Sequence, residues 1–518
     1  MKPALFTRFL FITIACVTAG IFLIRFYTAR TLLCHSCNVI IISADTLRAD
    51  ALPCLGYPMN TAPNICAFAS KNILFTNNYA NAPWTLPSYM SLFTSLYPAS
   101  HQVDIPVIES LNPRVTTLPE QFHAAGYATY FISNGQPNVS PTLGFGRGFD
   151  SVYHSRIHGD TFTPLIALLP KLKQTVAGRA PSFIFYHTDV IHDYQENILT
   201  YPTSFPLDPH YVPPSLPRLT AFTQMTRQAA IDQLNGYIHE ALPATAPIQK
   251  YTDWLEQLTN APTLKEAEAV FTLLPEKDKS IIYTRQIDTI LSIKGIDTVR
   301  LNRHIYDETI SAFDRSFAQL LERIRSLRLE KNTIIVFMSP HGESFGEHNA
   351  FNHGSHLYDE VIRAPLIIHI PGVNPHTVTS LTQLIDLYPT LLSLVGIPYT
   401  GYVSGKNIFD LITGRPDADT NSFVLAQMDE NYKFALRISR YKYIEQRSVP
   451  EKYELYDMQE DPGELKDRSA PKSHLTKFFR EKLRNTLNAL PVFPPTVSAF
   501  PDWIDDEHRK HLIETGYF

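Results

Sequence analysis

Three short stretches of this chain gather residue types that can do chemistry. The first is Asp45-Thr46-Leu47-Arg48-Ala49-Asp50, where the Asp45 carboxylate ends an apolar run. A carboxylate at a strand end is a good hard ligand for a divalent cation, and equally an ordinary helix cap. The second is Trp84-Thr85-Leu86-Pro87-Ser88-Tyr89, which opens a helical pattern reaching Thr94. Near a helix N-terminus, Thr85 meets exposed N–H groups and the positive end of the dipole. That setting suits an anionic substrate and an activated oxygen nucleophile, although capping by Thr85 or Ser88 uses the same position. The third is dense: Ser339-Pro340-His341-Gly342-Glu343-Ser344-Phe345-Gly346-Glu347-His348, then Asn352-His353-Gly354-Ser355-His356-Leu357-Tyr358-Asp359-Glu360. A lone histidine is usually structural, but several imidazoles and carboxylates packed after a buried strand point to a site.

Buried strands must position these residues. Asn38–Ala44 (NVIIISA) is apolar and β-branched without polar alternation, the pattern of a strand covered on both faces. Similar runs are Ala128–Ser133, Ser182–His187, Thr333–Ser339 and Pro365–Ile370. Most end beside polar or small residues, and in open α/β sheets ligands gather at the carboxyl ends of strands. Helical patterns lie between them, such as Asp307–Arg325 with apolar residues from Ile310 to Ile324 at helical spacing. The alternation predicts an α/β fold, a parallel or mixed sheet flanked by helices. Residues 201–302 hold Pro-rich and helical segments without a buried strand and read as a helical insertion. From Phe423 onward, FVLAQ, YKFALRIS and YKYIEQ predict a small antiparallel sheet, followed by a helix over His474–Leu490. The expected organisation is an N-terminal segment 1–30, a main domain 38–415 carrying the insertion, and a C-terminal subdomain 416–518.

Composition narrows the classes. The 518 residues are 44% hydrophobic and 18% charged, with 39 prolines, which fits a loop-rich globular enzyme better than a helical bundle. A formal net charge of -5 without a basic run excludes a nucleic-acid footprint. The stretch Phe9–Ile24 is almost wholly apolar or small, flanked by Lys2, Arg8, Arg25 and Arg30. It reads as one uncleaved membrane-spanning anchor, with the bulk of the protein extracytoplasmic. All five cysteines fall within the first 66 residues, at 16, 34, 37, 54 and 66. That is no disulfide framework for a chain of this size; Cys34 and Cys37 read as a thiol pair or one local disulfide.

Taken in order, NVIIISADTLRAD, APNICAFASKNILFTNNYANAPWTLPSYMSLFTSLYP, GFGRGFD, LIDLYPTLLSLVGIP and ELYDMQEDPGE carry a resemblance. From about Asn38 to about Asp467 the sequence resembles the sulfatase family of the alkaline-phosphatase superfamily. The resemblance implies an alkaline-phosphatase-like central mixed sheet and a metal-dependent hydrolase or transferase of sulfate or phosphate esters. It implies a divalent ion (Ca, Mn, Mg or Zn) held by Asp45, the Thr85 oxygen and His341, which activates Thr85 as the nucleophile. His192 and His353 match substrate-side positions that stabilise the anion or protonate the leaving group.

The sequence also departs from the family pattern. Sulfate-ester cleavage uses an oxidised Cys or Ser within C/S-x-P-x-R, whereas here Thr85 and Tyr89 stand at the first and last positions. The extra methyl on Cβ prevents Thr85 from becoming the aldehyde. A Thr here resembles relatives that move phosphoryl groups, the phosphoethanolamine and phosphoglycerol transferases and some phosphodiesterases. Pro340 replaces the Asp of an Asp-His-Gly metal motif, and Thr46 replaces a second Asp. Each change removes a carboxylate from a hard-cation site. The alternative expectation is a non-catalytic member of the same fold that binds a partner.

Overall fold

The computed structural model describes residues 34, 36–104, 109–133, 139, 144–154, 162–175, 180–194, 298–415, 420–428, 433–448, 450–470 and 473–497. The expected membrane anchor and residues 201–297 of the expected insertion lie outside them. Among the described residues no helix is long and apolar enough to cross a membrane. The chain divides into two compact units, Met1–His192 with Phe313–Glu343 and His353–Phe518, and Asp193–Ala312 with Ser344–Asn352.

The first unit is built on an eight-stranded mixed sheet. Its strands are β1 (Asn38–Ala44), β2 (Ile73–Phe75), β3 (Ala128–Ser133), β4 (Ser151–His154), β5 (Ser182–Thr188), β6 (Thr333–Met338), β7 (Leu366–His369) and β8 (His376–Val378). Their spatial order is β8-β2-β7-β6-β1-β5-β3-β4. β1 runs parallel to β5 on one side and to β6 on the other, while β7 is antiparallel to both β6 and β2. The α/β expectation holds. The five long strands are legible because helices cover both faces and every position of β1, β5 and β6 is buried. The three-residue strands β2 and β8 carry too few residues to show a pattern, and the edge strand β4 was not predicted either.

Helices α1 (Pro63–Ala69), α2 (Thr85–Thr94), α3 (Leu118–Ala124), α4 (Thr298–Ser326), α5 (Leu387–Val395) and α6 (His474–Ala489) follow in chain order. All ten residues of α2 are buried. Its Tyr89 and Phe93 rings meet the Phe185 ring of β5 at 5.1 and 4.8 Å. α4 begins nine residues before the predicted helix, at Thr298. On α4, Phe317 packs 5.0 Å from Phe337 of β6, and Asp314 accepts from the backbone N–H groups of Asn64 and Ile65 at the start of α1.

Four antiparallel strands, β9 (Val424–Met428), β10 (Lys433–Arg437), β11 (Tyr441–Gln446) and β12 (Lys452–Asp457), form the C-terminal sheet. Three were predicted; β12 was not. α6 lays Phe479 and Leu483 into a cluster with Leu436, Tyr443 and Leu455 of this sheet. Two disulfides are present, Cys34–Cys37 and Cys54–Cys66. The first is the local disulfide among the alternatives for Cys34 and Cys37; the second was not foreseen, and forms because α1 brings Cys66 beside the turn that holds Cys54, with Cα atoms 5.4 Å apart.

In the second unit, the strand pair Ser344–Phe345 and Phe351–Asn352 turns through Gly346 at φ +110°. The Phe345 ring lies 4.8 Å from Tyr306 and 5.5 Å from Tyr194, and the Arg303 guanidinium sits 5.4 Å over Tyr306.

Candidate active site

The carboxyl ends of β1, β5 and β6 open on one edge of the sheet. The register pairs Ser43 with His187 of β5 and with Met338 of β6. Asp45 therefore leaves β1 just where β5 turns away at Thr188, whose carbonyl accepts from the Asp45 N–H at 2.9 Å. Beyond β6 the chain runs through Ser339 and Pro340 to His341, with the Ser339 hydroxyl donating to the His341 carbonyl at 2.6 Å. Thr85 is the first residue of α2 and projects from its N-terminus, where orphan N–H groups and the dipole favour negative charge.

These three residues converge. Thr85 Oγ1 donates to Asp45 Oδ2 at 3.1 Å and lies 3.0 Å from His341 Nε2. His341 Nε2 is 3.2 Å from Asp45 Oδ1, and all three residues are buried. The His341 Nδ1–H donates to the Gly342 carbonyl at 2.9 Å, so Nε2 is the nitrogen that faces Thr85 and Asp45. Burial works to raise the Asp45 carboxyl. The charges of His341, His187 and His192, with the His341 hydrogen bond, outweigh it and hold Asp45 well below the usual carboxylate range.

Backbone strain and close packing hold the frame. Thr46 has φ +57°, an unusual value for a β-branched residue. Its N–H donates to Asp45 Oδ1 at 3.0 Å and its hydroxyl to the Asp45 carbonyl at 2.8 Å, which keeps it there. The buried Arg48 guanidinium grips Asp50 through two 2.8 Å hydrogen bonds and donates to the Glu343 carbonyl at 3.0 Å. Gly342 admits no side chain: a Cβ would run into the Glu360 carbonyl, and its own N–H donates to Val361 at 2.6 Å.

His353 and His192 border this cluster. The His353 ring is 4.5 Å from that of His341 and 5.2 Å from that of His192. The Gly354 N–H donates to the Pro83 carbonyl at 3.1 Å, which ties the His353 loop to the segment before Thr85. His353 Nδ1 is 3.2 Å from Glu343 Oε2. Burial lowers the His353 pKa, as do the His341 and His192 charges, against the opposing pull of Glu343.

Sequence reasoning missed one part of the neighbourhood. The Tyr89 hydroxyl, where the family pattern has Arg, lies 2.8 Å from Ser43 Oγ and 2.7 Å from His187 Nδ1. Burial raises the Tyr89 pKa well above its ordinary value, and the Asp45 and Asp189 charges add to it. Tyr89 thus supplies a neutral hydroxyl where the family pattern has a fixed cation. A polar residue about one turn into α2 was the available signal, but only the pairing of β1 with β5 brings Ser43 and His187 together.

Sulfatases generally use a divalent metal, which raises the question of fit. Asp45 is the carboxylate in direct contact with Thr85 and His341. Position 340 is a proline, and the Thr46 hydroxyl is turned to its own backbone. Among the described residues no group of three or more His, Cys, Asp or Glu side chains could hold a metal ion. None of Asp45, Thr85 and His341 leaves a buried polar atom without a hydrogen bond. Catalytic zinc takes three His, carboxylate or thiolate ligands, and calcium takes six to eight oxygens. Two such ligands and a neutral hydroxyl do not meet either requirement.

Comparison with known proteins agrees with the fold. A Delta 4,5-hexuronate-2-O-sulfatase of Bacteroides thetaiotaomicron is 23% identical over 457 residues, covering 83% of this chain and 84% of that protein. A solved structure of a protein in complex with its substrate D-glucosamine-2-N,6-O-disulfate superposes with a TM-score of 0.59 at 19% identity, covering 88% of this chain and 98% of that one. The phosphonate monoester hydrolase of Agrobacterium radiobacter superposes with a TM-score of 0.55 at 20% identity, covering 88% and 95%. The profile of the C-terminal region of N-sulphoglucosamine sulphohydrolase matches residues 346–491. Since the sulfatase profile itself matches residues 37–397, well over half of its length, the chain belongs to the sulfatase family.

Proposed function

We propose that this protein is a membrane-anchored enzyme that hydrolyses or transfers the anionic group of a phosphate- or sulfate-type ester, with Thr85 as its nucleophile. The observation that carries this reading is the Thr85 hydroxyl at a helix N-terminus, hydrogen-bonded to both Asp45 and His341. Thr85 Oγ bonds to phosphorus or sulfur as its proton passes to His341 Nε2. The bond from phosphorus or sulfur to the ester oxygen breaks, and the alcohol leaves with a proton from His192 or His353. The imidazole that gave up that proton, His192 or His353, then takes one from water or an acceptor alcohol as its oxygen attacks the Thr85 adduct, and the Thr85 oxygen leaves with the proton held on His341 Nε2. Because Thr85 cannot form the aldehyde, phosphate or phosphonate monoesters are the favoured substrates over sulfate esters. Sugar esters are the first class to try, given the substrates named for the relatives.

Phe9–Ile24 supports a single membrane anchor. Two disulfides support an oxidising, extracytoplasmic location for the domain, since thiols stay reduced in the cytosol. Protease protection in intact cells or spheroplasts tests this; a domain shielded on the cytoplasmic side overturns it.

The functional test is turnover of p-nitrophenyl phosphate, a p-nitrophenyl phosphonate and p-nitrophenyl sulfate, with mass spectrometry of trapped enzyme. Turnover and a covalent adduct on Thr85, both lost in Thr85→Ala, are expected. Equal turnover by Thr85→Ala sinks the nucleophile assignment. A second reading, a non-catalytic binding protein of the same fold, is favoured by Pro340. Absence of turnover on every ester, with retained binding of inorganic phosphate or sulfate, selects it.

A further inference from the structure

We infer that the Asp45–Thr85–His341 cluster is closed by its own hydrogen bonds, so the protein folds and holds this site without a divalent cation. Asp45 Oδ1 accepts from the Thr46 N–H at 3.0 Å and lies 3.2 Å from His341 Nε2, while Oδ2 accepts from Thr85 at 3.1 Å. Both carboxylate oxygens are thus engaged by groups that come from three separate segments. His341 Nδ1 is held by the Gly342 carbonyl at 2.9 Å, which aims Nε2 at Thr85 and Asp45.

A site built around a divalent ion gathers several anionic ligands whose mutual repulsion the ion cancels. Here one carboxylate faces an imidazole and a hydroxyl, and among the described residues no group of three or more His, Cys, Asp or Glu side chains is placed to hold an ion. The two substitutions explain how. Pro340 carries no donor, and its ring leaves the chain free to continue to His341 without a charge at that position. At position 46 the hydroxyl is spent on the Asp45 carbonyl at 2.8 Å, inside the same turn. Loss of both carboxylates removes the electrostatic demand for the ion together with the means of binding it.

The inference does not depend on turnover, so the two can fail separately. The experiment uses the full chain purified without chelators. Its metal content is measured by inductively coupled plasma mass spectrometry. Its thermal midpoint is measured with EDTA and with added calcium, magnesium, manganese or zinc, each with and without inorganic phosphate. The expected result is far less than one ion per chain and an unchanged midpoint under all these conditions. Pro340→Asp should acquire a midpoint that rises by roughly 5 °C on adding manganese or calcium and falls back with EDTA. One bound ion per wild-type chain, or a wild-type midpoint that EDTA lowers or metal raises, with or without phosphate, overturns the inference. Should Pro340→Asp fail to fold, the wild-type measurements decide alone. Ester turnover that persists in EDTA supports both readings. Turnover that requires an added ion overturns the metal-free site and leaves Thr85 as nucleophile. No turnover in a metal-free, EDTA-insensitive protein leaves the closed cluster standing and removes the enzyme reading.

Discussion

Two residues at the site separate chemistry from packing. Thr85→Ser keeps the hydroxyl that donates to Asp45 and should retain turnover, whereas Thr85→Ala should abolish it while leaving the fold intact. Kinetics on the favoured ester, paired with circular dichroism, checks both. Gly342 is a packing residue. A Cβ there would meet the Glu360 carbonyl, part of the turn Asp359–Ile362, so backbone rather than a flexible side chain must move. Gly342→Ala should destabilise by about 1–3 kcal/mol, read from urea denaturation, and reduce activity by displacing His341. Asp45, Thr85, His341 and His353 stood out as candidates because they lie in polar stretches after buried strands or at a helix start, whereas His192, and the substrate-side role of both His192 and His353, came only from the resemblance to the sulfatase family. Glu343 was visible too, yet its contact with His353 was not, since the two are ten positions apart and the intervening chain sets that distance.

At the scale of elements, α2 is the piece whose seating decides the site. Tyr89 joins it to β1 and β5 through Ser43 and His187. Tyr89→Phe leaves buried polar partners unsatisfied and should cost about 1–3 kcal/mol in stability. Further along α2, Ser91 meets His101 Nε2 at 3.1 Å, and the Val103 N–H donates to His101 Nδ1, so the ring is buried in its neutral form. Burial pushes the His101 pKa down from 6.5 to about 3, against a hydrogen bond to the Pro87 backbone that raises it. The folded-state value is depressed, so the contribution is complete above pH 6.5 and is lost as pH falls from there toward 3. The full loss is on the order of 5 kcal/mol. The stability of wild type should therefore fall more steeply between neutral and acidic pH than that of His101→Gln, measured by denaturant midpoint. Element legibility followed length. Seven-residue β1 stands out as an unbroken apolar run, while three-residue β2 and β8 are defined only by their neighbours in the sheet.

For the molecule as a whole, a buried ionic network ties the C-terminal sheet to the loop that follows the site. Lys442 of β11 is fully buried and reaches both Asp359 and Glu464 at 2.7 Å. Burial opposes ionisation of Asp359, but Lys442 and Arg437 hold its carboxyl down. Burial and the neighbouring carboxylates push Glu464 up despite Lys442. Tyr79 donates to Asp359 at 3.3 Å and stacks under the Arg437 guanidinium. Removing the shared cation leaves two carboxylates facing each other in the core. Lys442→Met should cost about 3–5 kcal/mol, and Glu464→Gln in the same chain should recover part of it; chemical denaturation of the single and double variants measures both.

The sequence by itself determined the α/β class, the five long strands, the three segments that supply the site and the family. Each of these rests on local composition and order: apolar runs for strands covered on both faces, polar residues at their ends, and motifs in a fixed succession. Tertiary structure alone decided the rest. The Cys54–Cys66 bridge, the Tyr89–His187–Ser43 contact, the Lys442 network and the closure of Asp45, Thr85 and His341 on one another join residues far apart in the chain. Their existence depends on distances set by strand pairing and helix packing, and a linear pattern carries no such distances.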